Sequence, residues 1–412
     1  MVAAMAWAGT ARADEGSLYR GPAPRPGPDL LYANAPAAPQ LTNAGAWKAA
    51  PILVSGASAY RNGEFLYQDY LYDDHGGHFA RDSSDPRTGS DTFSQPNGTY
   101  TYPTDPAYAD NAADLVELRV KPVAGATLFR LTLNTLKDPS KVAATIAIGN
   151  SATPMAFPHG ANATAPAAMF LTVHGTTADL LDAVTKQPVG GGAPTASVDT
   201  TRRQIEVRVP TSAWNPGTST VRLAAGVGLW DAASGAYLIP QGSSRTATQP
   251  GGGSPGAPGF FNVAFRFAEP LPKVSDPGDT SANPAWWRDR AQGEALRTGD
   301  LSSFHADVDF GNLAAGTDDE SGVPTTGVLN RIFASRYEPS QGTDFTKSCG
   351  QSTGCEGELR GQLQPYALYV PKKAPDGGRY GLQLLLHSLG AGFNQFSGSR
   401  NQSQFGERGH GY

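Results

Sequence analysis

The sequence predicts a mainly β protein: an antiparallel β-sandwich, then a helical connector, then two further strands. Three observations predict it. Apolar and polar residues alternate in short runs from about Pro51 to Phe267, the period of a strand with one buried face. The 412 residues include 49 glycines and 33 prolines, about one residue in five, which favours turns between short strands over long helices. Only past residue 270 does the spacing change, first to a helical period and then to two apolar runs.

Length favours two to three domains. Lys and Arg number 32 against 37 Asp and Glu, a net charge of -5, and no basic block could neutralise a run of phosphates. Nucleic acid is therefore not an expected partner. No run of 18 apolar residues exists, so no transmembrane helix is expected. Met1 to Gly9 is apolar, and Ala11-Arg12-Ala13 before Asp14-Glu15 has the small-x-small form of a signal cleavage site. Residues 1–13 are read as a signal-peptide remnant and the protein as secreted. A disordered Ala-rich terminus fits the same composition.

Residues 14–46, rich in Pro and Ala, predict an extended lead-in. Residues 47–270 predict the sandwich. Val116, Leu118 and Val120 alternate with Glu117, Arg119 and Lys121; Phe129, Leu131 and Leu133 with Arg130 and Thr132. Ile205, Val207 and Val209 interleave with Gln204, Glu206 and Arg208, and Phe261, Val263, Phe265 and Phe267 with Asn262, Ala264 and Arg266. Each run should bury one face and wet the other. Clusters such as Gln95-Pro96-Asn97-Gly98 supply the turns, and residues 249–259 read as a long loop within the sheets.

Residues 271–360 predict a connector with one helix. Asn283-Pro284 caps it, Trp287, Ala291 and Ala295 follow at spacing four, and Gly299 ends it. Trp286 and Trp287 should pack against a neighbour. Cys349 and Cys355, closely spaced in a secreted chain, suggest a disulfide closing a small loop, worth at most about 2 to 2.5 kcal/mol. In residues 361–412, Tyr366 to Pro371 reads as an edge strand and Leu382 to Gly390 as a strand buried on both faces.

Chemistry is suggested at three places. Asp69, Asp73, Asp74, Asp105, Asp110 and Asp114 form an acidic cluster of the hard oxygen ligands that calcium accepts, although aspartates also close Asx-turns in solvated loops. Tyr70-Leu71-Tyr72-Asp73-Asp74-His75-Gly76, then Gly98-Thr99-Tyr100-Thr101-Tyr102-Pro103-Thr104-Asp105, then Ala113-Asp114-Leu115, resemble the C-terminal binding module of glucodextranase. The family pattern runs Gly-Asp-Asp-x-Gly, Tyr-x-Tyr-Pro-Thr-Asp, Asp-Leu. Tyr72 here replaces its first Gly, and residues 77–96 are inserted. The resemblance implies a β-sandwich for carbohydrate or cell-surface attachment, with Asp73, Asp74, Asp105 and Asp114 near a calcium ion. Tyr67, Tyr70, Tyr72, Tyr100, Tyr102 and Tyr108 could form an aromatic platform for sugar or could equally be core.

Gly350-Gln351-Ser352-Thr353-Gly354 has the form of a nucleophile elbow, but polar residues precede it and the cysteine loop encloses it, so Ser352 is not expected to be catalytic. Leu384 to Ala391, with Tyr366 to Pro371 upstream, resembles the start of an α/β-hydrolase of the secreted esterase, polyhydroxybutyrate depolymerase and prolyl-oligopeptidase-like kind. The resemblance implies an oxyanion loop at His387, Ser388, Leu389 and Gly390. In that fold nucleophile, acid and histidine follow this loop, and only Ala391 to Tyr412 remain. The expectation is the front part of a secreted serine hydrolase, itself inactive. The alternative is a non-catalytic, calcium-dependent glycan- or surface-binding module.

Overall fold

A computed structural model describes residues 38–77, 99–108, 111–242, 244–267, 287–335, 362–373 and 384. The strands, in chain order, begin with β1 (Ala57–Arg61), β2 (Glu64–Gln68), β3 (Leu115–Val123), β4 (Ala126–Leu133) and β5 (Val142–Ile148). A short pair, β6 (Met155–Ala156) and β7 (Thr164–Ala165), precedes β8 (Met169–His174) and β9 (Thr177–Asp182). Then come β10 (Thr195–Asp199), β11 (Gln204–Pro210), β12 (Thr220–Asp231), β13 (Ala236–Tyr237) and β14 (Phe260–Val263). Helix α1 (Trp287–Thr298), β15 (Ala306–Asp309), helix α2 (Phe310–Ala315), β16 (Gly327–Ala334) and β17 (Leu363–Val370) complete the described elements.

Two antiparallel sheets face each other, as the alternation predicts. One has the order β1-β2-β3-β4-β11-β10; the other runs β13-β12-β5-β8-β9, with β14 and β15 also on β12. Their inner faces meet in one core, with Leu118, Phe129, Leu131 and Val207 on one side and Ile146, Leu171, Leu223 and Val227 on the other. Hairpin chemistry sets the register locally. Arg61 faces Glu64 across Asn62-Gly63, both at positive φ (52° and 69°), the two-residue turn whose twist matches the strands.

The expectation of one wet face per strand is overturned. Glu117, Arg119, Arg130 and Gln204 are buried, because residues 38–54 of the lead-in and first loop cross the outer face of the six-stranded sheet. On the other sheet the outer face is covered too. Phe157, Phe170, Trp230, Tyr237, Phe260 and Leu296 pack there with small alanines. Gly226 shows how closely: a Cβ at that position would lie 2.5 Å from the Phe260 ring, so only glycine lets the ring settle on the strand.

The run ending in Phe267 is not strand throughout. β14 stops at Val263, and Phe265 takes a positive φ of 66°, which breaks the alternation and turns Arg266 inward. The boundary expected near residue 270 does not end the sandwich, since β15 pairs with β12 from Thr220↔Asp309 to Leu223↔Ala306. Helix α1 lies within the predicted stretch, and the Gly299 N–H closes it onto the Ala295 carbonyl. The strand expected at Tyr366 to Pro371 is β17, but it pairs antiparallel with β16 rather than lying in a parallel sheet. No parallel strand pairing occurs in any sheet among the described residues, and no α/β-hydrolase fold is seen. Trp286, Asp110, Cys349, Cys355, Ser352 and the loop of His387, Ser388, Leu389 and Gly390 lie outside the described residues.

Candidate functional site

The segment carrying the acidic motif folds into the middle of the sandwich, where β2 leads out through Asp69 to Asp74 and β3 begins after Asp114. The backbone N–H of Asp69 bonds the Val116 carbonyl, which holds this exit beside the start of β3. Asp69, Asp73, Asp74 and Asp114 are all buried. Buried carboxylates need partners or neutralisation, because desolvation penalises their charge.

Each of the four meets that demand differently. Asp73 forms a buried ion pair with Arg266 and accepts a hydrogen bond from Asn262 Nδ2. Asp74 accepts from the Tyr102 hydroxyl, and Tyr102 in turn accepts from the Ala113 N–H at 3.1 Å. Asp69 accepts from the Tyr67 hydroxyl at 2.8 Å, itself held by the Arg266 N–H. Asp114 Oδ2 takes three donors: the Tyr72 N–H at 3.0 Å, Asn134 Nδ2 at 2.8 Å and Asn111 Nδ2 at 3.2 Å.

The electrostatics follow from this crowding. Burial, and next to it the charge of Asp74, hold the Asp114 carboxyl well above the usual carboxylate range, with Asp69 adding to the effect. Burial and Asp74 likewise push the Tyr102 phenol up. Asp114 Oδ1 and Asn134 Oδ1 are buried without a hydrogen-bond partner among the described residues. The two unpartnered oxygens belong to a hydrogen-bonded pair, Asn134 and Asp114, that lies in the field of the Asp74 carboxylate.

Of the four aspartates expected to share an ion, only Asp74 and Asp114 are brought together in this way. Asp73 is compensated by Arg266. Asp105 serves another purpose: its Oδ1 accepts the Ala107 N–H at 2.8 Å and starts a short 3₁₀ turn, Pro106–Tyr108. Asp69, in sequence a member only of the wider acidic cluster, joins the pair through its charge on Asp114. Its position five residues before Asp74 was the available signal. Asn134, at the end of β4, carried none.

The aromatic platform is overturned. Tyr67, Tyr70, Tyr72, Tyr100, Tyr102 and Tyr108 are between 0 and 9% exposed, too little for a sugar to stack on. Their rings are core: Tyr102 and Tyr100 lie 4.8 and 5.3 Å from Phe261, and Tyr67 lies 5.0 Å from Phe265. Each buried hydroxyl that reaches a carboxylate or carbonyl is thereby satisfied, as the Tyr100 bond to the Pro258 carbonyl shows.

Residues 93–151 match the family model of the C-terminal binding-module, SLH-like, of glucodextranase. The matched stretch contains Tyr100, Tyr102, Asp105, Asp114, all of β3 and β4 and all of β5, so it occupies the centre of both sheets. No curated protein matches the chain.

Proposed function

We propose that the sandwich is a non-catalytic extracellular module that attaches the chain to a carbohydrate or cell-surface polymer. The observation that carries this reading is the family match, which falls on the strands that build both sheets rather than on a peripheral loop. No described helix is long and apolar enough to cross a membrane, and polymer attachment would supply a surface location without one. The test is co-sedimentation of the full chain with insoluble polysaccharide and with a bacterial cell-wall preparation. Saturable binding to one of them is expected; no binding to either sinks the reading.

Calcium is part of the same proposal. No three His, Cys, Asp or Glu side chains among the described residues are arranged to hold an ion by themselves. Oxygen from an amide would have to contribute, and Asn134 Oδ1 beside Asp114 offers it, a donor set that suits a hard cation. Calcium, once bound, would supply charge neutralisation and rigidity, not bond cleavage. Millimolar calcium is expected to raise the Tm of the full chain by mass action, and Asp114→Asn to abolish the rise. An unchanged Tm in the native chain rejects the ion.

A second reading is that residues 361–412 open a serine-hydrolase domain carried by this module, with His387, Ser388, Leu389 and Gly390 as its oxyanion loop. Its support is the sequence resemblance alone, Tyr366 to Pro371 followed by the apolar run 382–390. Its test is an assay of the full chain, native and Ser352→Ala, on an activated acyl ester. Turnover that disappears in Ser352→Ala would refute the assignment.

A further inference from the structure

At one end of the seven-stranded sheet a groove of about 320 Å³ opens where β5 ends, β8 begins and β12 begins. Trp214, in the turn between β11 and β12, forms one wall; Asn150, Asn215, Ser219, Arg222 and Asp307 contribute polar lining. Trp214 is half-buried and braced, its ring stacked on Phe129 at 6.0 Å and 27° and set edge-on to Phe310 at 5.6 Å and 89°. Both Ala213 and Trp214 N–H groups bond the Pro210 carbonyl, which fixes the turn. The indole is therefore positioned before any ligand arrives, which lowers the ordering cost of binding.

We propose that this groove is a subsite for one or two rings of an uncharged saccharide. The inference rests on the polymer-binding reading above and gives that reading a place and a ligand class. Three features carry it. An indole offers the apolar face on which the C–H side of a pyranose packs, and its neighbours Asn150, Asn215, Ser219 and Asp307 are exposed to solvent and can exchange water for sugar hydroxyls. The volume lies at the small end of ligand pockets, roughly 300–1,000 Å³, enough for a short stretch of chain and not for a folded partner. Charge at the groove is balanced: Arg222, its guanidinium held by the Pro166 and Ser302 carbonyls at 3.1 and 2.7 Å, and Asp307 both line it, so no net charge recruits an anionic sugar.

The sequence offers no spacing that singles out Trp214, which stands alone between Pro210 and Pro216. Only the fold sets it opposite Asn150 and Asp307.

The experiment is affinity electrophoresis of the full chain in gels containing dextran or starch, both neutral glucans, or polygalacturonate, which is anionic. Retardation by a neutral glucan is expected, weakened at least tenfold by Trp214→Ala and several-fold by the surface pair Asn150→Ala and Asp307→Ala. Trp214→Ala removes packing against Phe129 and Phe310, so the surface pair, measured at unchanged Tm, guards against loss of fold. If the native chain binds a neutral glucan and neither variant changes that, the groove is overturned while polymer binding stands. Preference for polygalacturonate overturns the uncharged ligand. Failure to bind any of the three, with retained binding to a cell-wall preparation, overturns the saccharide assignment alone; failure with the cell-wall preparation as well removes the attachment reading with it.

Discussion

Outside their shared core, the six-stranded sheet is roofed by backbone and charge, whereas the seven-stranded sheet is roofed by alanines and rings. On the first, Arg119 bonds Glu117 at 2.6 Å, Glu64 at 2.9 Å and the Ala49 carbonyl at 2.7 Å; Arg130 bonds Glu117 at 2.9 Å and lies over the Trp47 ring. Glu64 also accepts from the Lys48 and Ala49 N–H groups of the covering segment. On the second, the roof is Phe157, Phe170, Phe260, Tyr237 and Leu296 over Ala143, Ala147 and Ala224. The contrast teaches how a strand face that reads as polar becomes interior. A charged roof is directional and fails when one partner is lost, whereas an apolar roof is nondirectional and loses stability in proportion to what is removed.

The largest expected effect breaks the first roof. Arg119→Ala leaves Glu117 and Glu64 buried with too little countercharge and should cost about 3–5 kcal/mol in urea unfolding. A loss under about 1 kcal/mol would mean that water reaches these carboxylates. Next, Leu296→Ala cuts the second roof where α1 lies on the sheet and should cost roughly 2–4 kcal/mol, the value for a buried leucine. A smaller loss would show that α1 contributes little to the cover.

The smallest effects separate the roofs by pH. Burial opposes ionisation of Glu117, but Arg119 and Arg130 outweigh it and hold its carboxyl below the usual range. Its stabilisation is therefore complete above the unfolded value, about 4.3, and is lost as pH falls through the lowered folded value. His159, set edge-on to Trp230 on the second roof, shifts the other way: its bond to Asp179 outweighs burial and raises its pKa. That contribution is present below the unfolded value, about 6.5, and fades as pH rises through the raised one. Thermal melts across pH should show an acid loss that Glu117→Gln reduces and a lesser neutral-to-alkaline loss that His159→Gln removes. Identical profiles for the native chain and both variants would contradict this division.

Much of the fold was legible from alternation. The runs at Val116, Phe129 and Ile205 became β3, β4 and β11 at their predicted positions, and the spacing of Trp287, Ala291 and Ala295 falls on α1. The site was less legible. Asp73 and Asp114 look alike in sequence, yet one meets Arg266, 193 residues away, and the other meets Asn134. Asp105 sits in the same motif but turns to cap Ala107. The six tyrosines suit a surface or a core equally in sequence, and the core takes them: Phe261 packs against Tyr100 and Tyr102, and Phe265 against Tyr67.

By itself the sequence determined which residues share a side, since a strand's period of two is a local property of the backbone. It also determined the turns, where Asn62-Gly63 can adopt what few residues can. Tertiary structure alone decided what lies over each side: that Ala49 and Trp47 would close over Arg119 and Arg130, that Phe260 would rest on Gly226, and that Trp214 would stand half-buried near Asp307. Such pairings join residues far apart in the chain, and nothing in local periodicity encodes the partner that desolvates a group or leaves it open to water.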